Sequence, residues 1–309
     1  MYLFRLIRWP NLLIVLLTQY LLYRFVLVAQ LKLADRSPTL DIIDFGALTL
    51  ATILTAAAGY VINDIYDQVI DALNKPERMI VGTILSEKAA YRWYTGFILV
   101  GGLFIGWLTY RTGAWFWLPG YILANAMMYG YSRSWKKKIL IGNFVVSLFC
   151  ALVAVVVIVG ESGYWPDLMR EAPTSYINIV GIFTAYATFA FLSTMYREIV
   201  KDMEDVYGDE VDNCRTLPIV FGVQKAKTIA AFFAISLLLT TIFGAYLLYV
   251  TGRFLQLGYL LLGIVIPIKI SLLLLGKAQS VKEFHQLSTL TKLIMLGGIL
   301  YLGLEVLVG

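Results

Sequence analysis

The chain has 309 residues, 60% of them hydrophobic and 15% charged, with a mean hydropathy of +0.77. A water-soluble domain is nearer half apolar and a quarter charged, so this composition excludes an ordinary soluble globule and implies a multi-pass integral membrane protein. The net charge of +5, from 25 Lys and Arg against 20 Asp and Glu, reads as loop charge that orients the chain in a membrane, with no nucleic-acid partner.

Taken in chain order, apolar runs long enough to cross a bilayer fall at about 10–31, 42–63, 91–110, 115–131, 139–159, 175–196, 227–250, 255–275 and 289–308. The runs are continuously apolar, whereas barrel strands alternate over about ten residues. The spacing therefore predicts an all-α bundle of nine transmembrane helices forming a single domain over 1–309. No cleavable signal is evident, since the first run is too long for one and no small-residue cleavage site follows it. Eighteen of the 25 Lys and Arg fall on the side of the N-terminus and of the loops after the even-numbered runs, counting those just inside a run at that end, and five fall on the other side. That bias predicts cytoplasmic even loops and, with nine spans, an external C-terminus. Two cysteines, Cys150 and Cys214, and one histidine, His285, give no support for a disulfide framework or a Cys- or His-based metal site.

The acidic residues are unevenly spread. The second run leads into Asn63-Asp64-Ile65-Tyr66-Asp67 and on to Asp71; the sixth leads into Asp202-Met203-Glu204-Asp205 and on to Asp209. Both triplets, Asp64/Asp67/Asp71 and Asp202/Asp205/Asp209, have i, i+3, i+7 spacing, which places them on one helical face. Like charges so arranged repel, and a cation should offset them. Mg²⁺ takes oxygen ligands and is held by one or two carboxylates together with substrate phosphates. The two clusters are read as halves of one Mg²⁺ diphosphate site, within motif loops at about 64–90 and 197–226. Basic companions suit a phosphorylated ligand: Lys75 and Arg78 after the first cluster, Arg197 and Lys201 flanking the second, and Arg215 six residues beyond Asp209. The run Arg133-Ser134-Trp135-Lys136-Lys137-Lys138 could steer an anionic acceptor or lipid headgroups, or simply report orientation.

Asn63-Asp64-x-x-Asp67-x-x-x-Asp71 followed by Asn74-Lys75-Pro76-Glu77-Arg78 resembles the first aspartate motif of the UbiA superfamily of intramembrane prenyltransferases, and Asp205-x-x-x-Asp209 resembles the second. Arg215-Thr216-Leu217-Pro218 and Arg8-Trp9-Pro10-Asn11 are similar to further landmarks of that family. Met79-Ile80 departs from it, because many members have Pro after the Arg. The string Arg-Glu-Ile-Val-Lys-Asp-x-Glu-Asp at 197–205 looks most like the branch that adds geranylgeranyl to geranylgeranylglyceryl phosphate in ether-lipid synthesis. The resemblance implies a bundle with a central cavity open to lipid and Mg²⁺ bridging a prenyl diphosphate. It implies Asn63, Asp67, Asp71, Asp205 and Asp209 as metal positions, with Asp64 and Asp202 as adjacent carboxylates in support. Asp67, Asp71, Asp205, Asp209 and Lys201 would then carry catalysis, while Lys75, Arg78, Arg197, Arg215, Asn11 and Arg8 would hold the diphosphate. The partners would be a prenyl diphosphate, a lipid-phosphate or aromatic acceptor, and membrane lipid. Two other readings stay open: an aromatic-acceptor polyprenyltransferase of quinone synthesis, and a divalent-cation transporter.

Overall fold

Within a bilayer a backbone must satisfy its own hydrogen bonds, which leaves continuous apolar runs little choice but the helix. The computed structural model describes residues 2–308 apart from Lys75, Ser162 and Tyr164, and the side chains of Asn74, Arg78 and 305–308 also lie outside the description. Among the described residues the regular structure is helical, apart from an isolated bridge between Val81 and Leu85.

Eight helices are long and apolar enough to cross a membrane: Trp9–Leu33, Ile42–Tyr66, Glu87–Thr112, Ile141–Val159, Pro173–Glu204, Val223–Val250, Phe254–Lys277 and Val281–Leu304. The run expected to span at 115–131 forms the helix Trp117–Arg133, whose 17 residues rise about 25 Å, short of a hydrocarbon core of about 30 Å. Helix starts follow local capping. Asp41 accepts the Ile43 and Asp44 amide protons at 2.8 and 2.9 Å before Ile42–Tyr66, and Ser86 caps Glu87–Thr112. Outward-facing Leu99, Leu103, Trp107 and Tyr110 recur at helical spacing on Glu87–Thr112, an apolar stripe suited to lipid. Two spans carry a π-helical turn, Leu22–Leu27 and Leu261–Val265.

The chain divides into two compact units. The first comprises Met1–Tyr23, Leu27–Lys136 and Val156–Tyr176, and the second Arg24–Val26, Lys137–Val155 and Ile177–Gly309. In the first, Leu6, Val61, Ile62, Ile65, Ile80, Val81, Leu85 and Ala90 form a buried cluster that includes the helix residues flanking Asp64. The opposite end of that unit is tied by Glu161. This fully buried carboxylate accepts the Thr39 and Leu40 amide protons at 2.8 and 3.2 Å, and burial raises its pKa against the pull of those two bonds. In the second unit, Met195, Tyr196, Ile199, Val200 and Met203 pack with Leu217, Ala226, Ala230 and Leu275. The Tyr196 hydroxyl meets Ser271 Oγ at 2.6 Å, which fixes the motif-bearing end of Pro173–Glu204.

Candidate functional site

In the first unit the helix Ile42–Tyr66 carries Asn63 and Asp64, stops at Asp67 and resumes as Gln68–Asn74 with Asp71 on it. Asp67 has φ −95° and ψ 5°, outside the helical range, yet the hydrogen-bond ladder runs through it: Asp67 donates to Asn63 at 2.9 Å and Asp71 donates to Asp67 at 2.8 Å. The expected single helical face is thus kinked at its middle aspartate. The Asn63 side-chain amide donates to Asp67 Oδ2 at 2.6 Å. Lys136 Nζ reaches Asn63 Oδ1 at 3.2 Å and pairs with Asp67 Oδ1, in surroundings that leave the two charged side chains 10% and 15% exposed.

Arg8 and Asn11 come to the same place. Arg8 adopts a left-handed conformation, φ 51°, and turns the chain between Tyr2–Leu6 and the first span. Its guanidinium lies 3.0 Å from Asp64 and 4.9 Å over the Tyr60 ring. Partial burial works against the Arg8 charge, but Asp64, Tyr60, Asp67 and Tyr131 together hold its pKa above the ordinary value. Asn11 donates to the Tyr60 hydroxyl at 3.1 Å. Arg78 lies in the turn Pro76–Arg78 with its side chain outside the described residues, and Lys75 is outside them altogether.

The second unit repeats the local design. Pro173–Glu204 carries Arg197, Lys201 and Asp202, breaks at Asp205 with φ −96° and ψ 9°, and resumes as Val206–Val211 with Asp209. Here too the ladder continues, Asp205 to Lys201 at 2.9 Å and Asp209 to Asp205 at 3.1 Å. Asp202 accepts from Asn143 at 2.9 Å, Lys201 lies 3.9 Å from Asp205, and Arg197 pairs with Glu198 at 2.5 Å. Arg215 donates its backbone N–H to the Lys137 carbonyl at 2.8 Å, and Lys137 Nζ pairs with Asp212 at 2.5 Å, which pins the loop beyond the motif. His285, expected in a loop, lies on Val281–Val308 with Nδ1 2.7 Å from Glu204.

Sequence reasoning missed Tyr60, Lys136 and Asn143 as parts of these sites. The basic run at 133–138 was the one available signal for Lys136, and it reads equally as an orientation signal. Among the described residues no three Asp, Glu, His or Cys side chains group closely enough to hold a metal ion. The donor chemistry nevertheless suits Mg²⁺. Asn63 and Asp67 are convergent hard oxygen donors, a lysine ammonium already sits between their oxygens as a cation, and Mg²⁺ asks for only one or two carboxylates when a substrate supplies phosphates.

Residues 22–290 match the UbiA prenyltransferase family. The chain belongs to that family. It is 30% identical to a digeranylgeranylglyceryl phosphate synthase from Thermococcus kodakarensis over 79% of this chain and 78% of the relative. A relative of the same name from Methanothermobacter thermautotrophicus is 31% identical over 75% of each. A solved digeranylgeranylglyceryl phosphate synthase structure superposes with a TM-score of 0.67 at 22% identity, covering 98% of this chain and 97% of the other. A UbiA homologue from Archaeoglobus fulgidus bound to GPP and Mg²⁺ superposes at 0.56 with 14% identity, covering 98% of this chain and all of the other. These likenesses identify the fold.

Proposed function

We propose that this UbiA-family protein transfers a geranylgeranyl group from its diphosphate to the hydroxyl of geranylgeranylglyceryl phosphate, forming an ether-linked lipid. The observation that carries the reading is the duplicated kinked motif, Asn63/Asp67/Asp71 and Asp205/Asp209, in a chain about 30% identical over most of its length to digeranylgeranylglyceryl phosphate synthases. Asn63, Asp67 and Asp71 on one motif, and Asp205 and Asp209 on the other, would hold Mg²⁺ against the diphosphate, with Asp64 and Asp202 in support. Bound Mg²⁺ supplies Lewis-acid stabilisation of the charge that develops on the leaving group.

The protein's own groups do the rest. Arg8, Asn11, Lys75, Arg78, Lys136, Lys201 and Arg215 would provide cationic and amide donors for the diphosphate. Asn63 and Lys136 fix the Asp67 carboxylate, so its orientation is set before substrate arrives. The allylic carbon–oxygen bond breaks, the acceptor oxygen forms the new bond to that carbon, and its proton is released. Apolar helix surfaces shelter the isoprenoid from water, each buried CH₂ contributing about 0.8 kcal/mol.

The finer architecture belongs to the same proposal: a ninth crossing by Trp117–Arg133, a central cavity, motif ends in the cytoplasm, an external C-terminus, and the whole chain acting as one functional domain. The charge bias of the loops supports the sidedness. Membership of a prenyltransferase family favours catalysis over divalent-cation transport.

The test is prenyl transfer by purified protein with Mg²⁺, geranylgeranyl diphosphate and geranylgeranylglyceryl phosphate, followed by mass spectrometry of the product. Asp67→Ala and Asp205→Ala should each lower turnover by about 10² or more. Wild-type rates in both variants, full activity after exhaustive chelation, or a C-prenylated aromatic product in place of an ether lipid would overturn the reading.

A further inference from the structure

Helices Pro173–Glu204 and Val281–Val308 run antiparallel within the second unit, with Glu204 against His285 at one end and the Tyr186 hydroxyl on the Gly298 carbonyl at 3.1 Å further along. Seven residues back from Glu204 is Arg197, and seven forward from His285 is Lys292. Seven residues make two turns, so Arg197 and Lys292 lie on the same two facing stripes, about 10 Å deeper along the helices. Lys292 feels the repulsion of Arg197 and Lys201 and the weaker attraction of Glu198 and Glu204.

The carboxylates nearby are already engaged. Glu198 is paired with Arg197, and Glu204 with His285. Lys292 is exposed and, among the described residues, makes no hydrogen bond or ion pair, while Arg197 Nε is a buried donor without a partner. Two cations three turns into a membrane helix share carboxylates that are also engaged elsewhere, so a further anion would be favoured there, and charges at such a depth mark ligand paths. A tetrahedral phosphate has the charge and the acceptor oxygens to take both donors. The prenyl diphosphate is the wrong candidate, because Arg197 precedes Asp205 by eight residues, about 12 Å of helix.

We propose that Lys292, together with Arg197, receives the phosphate of the lipid acceptor and so sets the preference for a phosphorylated lipid. This rests on the transferase reading above.

Steady-state kinetics in detergent test it, each substrate being varied at saturation of the other. Lys292→Met should raise KM for geranylgeranylglyceryl phosphate about tenfold or more and leave KM for geranylgeranyl diphosphate within about twofold. Lys292→Arg should restore most of the loss. With the phosphate-free acceptor geranylgeranylglycerol, wild type and Lys292→Met should differ by less than about twofold, a result that a misfolded variant would not give. An unchanged acceptor KM in Lys292→Met, or an equal rise in KM for the diphosphate, overturns the proposal. So does inorganic phosphate competing as well as the lipid phosphate, which would mark a free-anion site. Wild type that neither binds nor prenylates the lipid phosphate would instead overturn the transferase reading, and this inference with it.

Discussion

Asp67 is gripped from two directions, by the Asn63 amide and by the Lys136 ammonium, in a setting that shields the pair from water. Removing one partner of a shielded ion pair leaves an uncompensated charge, which is costly to the fold. Lys136→Met should therefore be less stable than wild type, and added Mg²⁺ should recover more of the melting temperature in the variant than in wild type, since the metal can supply the missing charge. Its kcat/KM for prenyl diphosphate should fall about tenfold or more. Melting curves with and without Mg²⁺ check the first statement, and an equal Mg²⁺ effect in both proteins would contradict it. At this scale the aspartates could be read from spacing and charge, and Arg8 from the resemblance of Arg8-Trp9-Pro10-Asn11 to a family landmark. Asn143 and Lys292 could not, because each lies far along the chain from the residues it faces and its own neighbours look like ordinary helix surface, while Lys136 showed only as part of a basic run that reads equally as an orientation signal.

The elements depend on a few close approaches. Gly130 lies in the last turn of the helix Trp117–Arg133 with the Trp135 ring against it: an added Cβ would meet ring atoms at 3.0–3.2 Å. That ring begins the turn Trp135–Lys137 that presents Lys136. Gly130→Val should therefore displace Trp135 and Lys136 together, cost about 1–3 kcal/mol, and lower kcat/KM more than Gly120→Val, where an added Cβ meets nothing within 4 Å. Equal activity in the two variants would break the link.

At the far end of the first unit, burial holds the Glu161 pKa above its ordinary 4.5. The folded state therefore favours the neutral acid. Its contribution to stability is fully present below that ordinary value and is lost as pH rises through the raised folded value. The melting temperature of wild type relative to Glu161→Gln should decline as pH rises from about 4.5 towards neutrality; a rising difference would reverse the assignment. The triplet spacing showed that each motif is helical, but the break at Asp67 and at Asp205 escaped it, because i→i+4 bonding persists through both residues and leaves no Gly or Pro to mark the change.

For the whole molecule, the bilayer made the fold legible. A solvent that demands about 20 apolar residues per crossing writes its requirement directly into the sequence, and eight of the expected runs are helices long and apolar enough to cross. The run at 115–131 shows where that reading loses force, since an apolar stretch of marginal length looks alike whether or not it spans. The chemistry had a different trace: like-charged carboxylates on one helical face repel by only a few tenths of a kcal/mol, but the same spacing repeated after two even-numbered runs gave a reason to expect a cation and a phosphorylated substrate. What the helices present to one another across the bundle has no such one-dimensional trace.

The π-helical turns at Leu22–Leu27 and Leu261–Val265 carry a consequence for homologues. Each accommodates one extra residue without breaking its span. A relative with an uninterrupted α-helix there should lack one amino acid, and an alignment forced to be gapless through either stretch would rotate every downstream position by about 100° onto the wrong side of the helix.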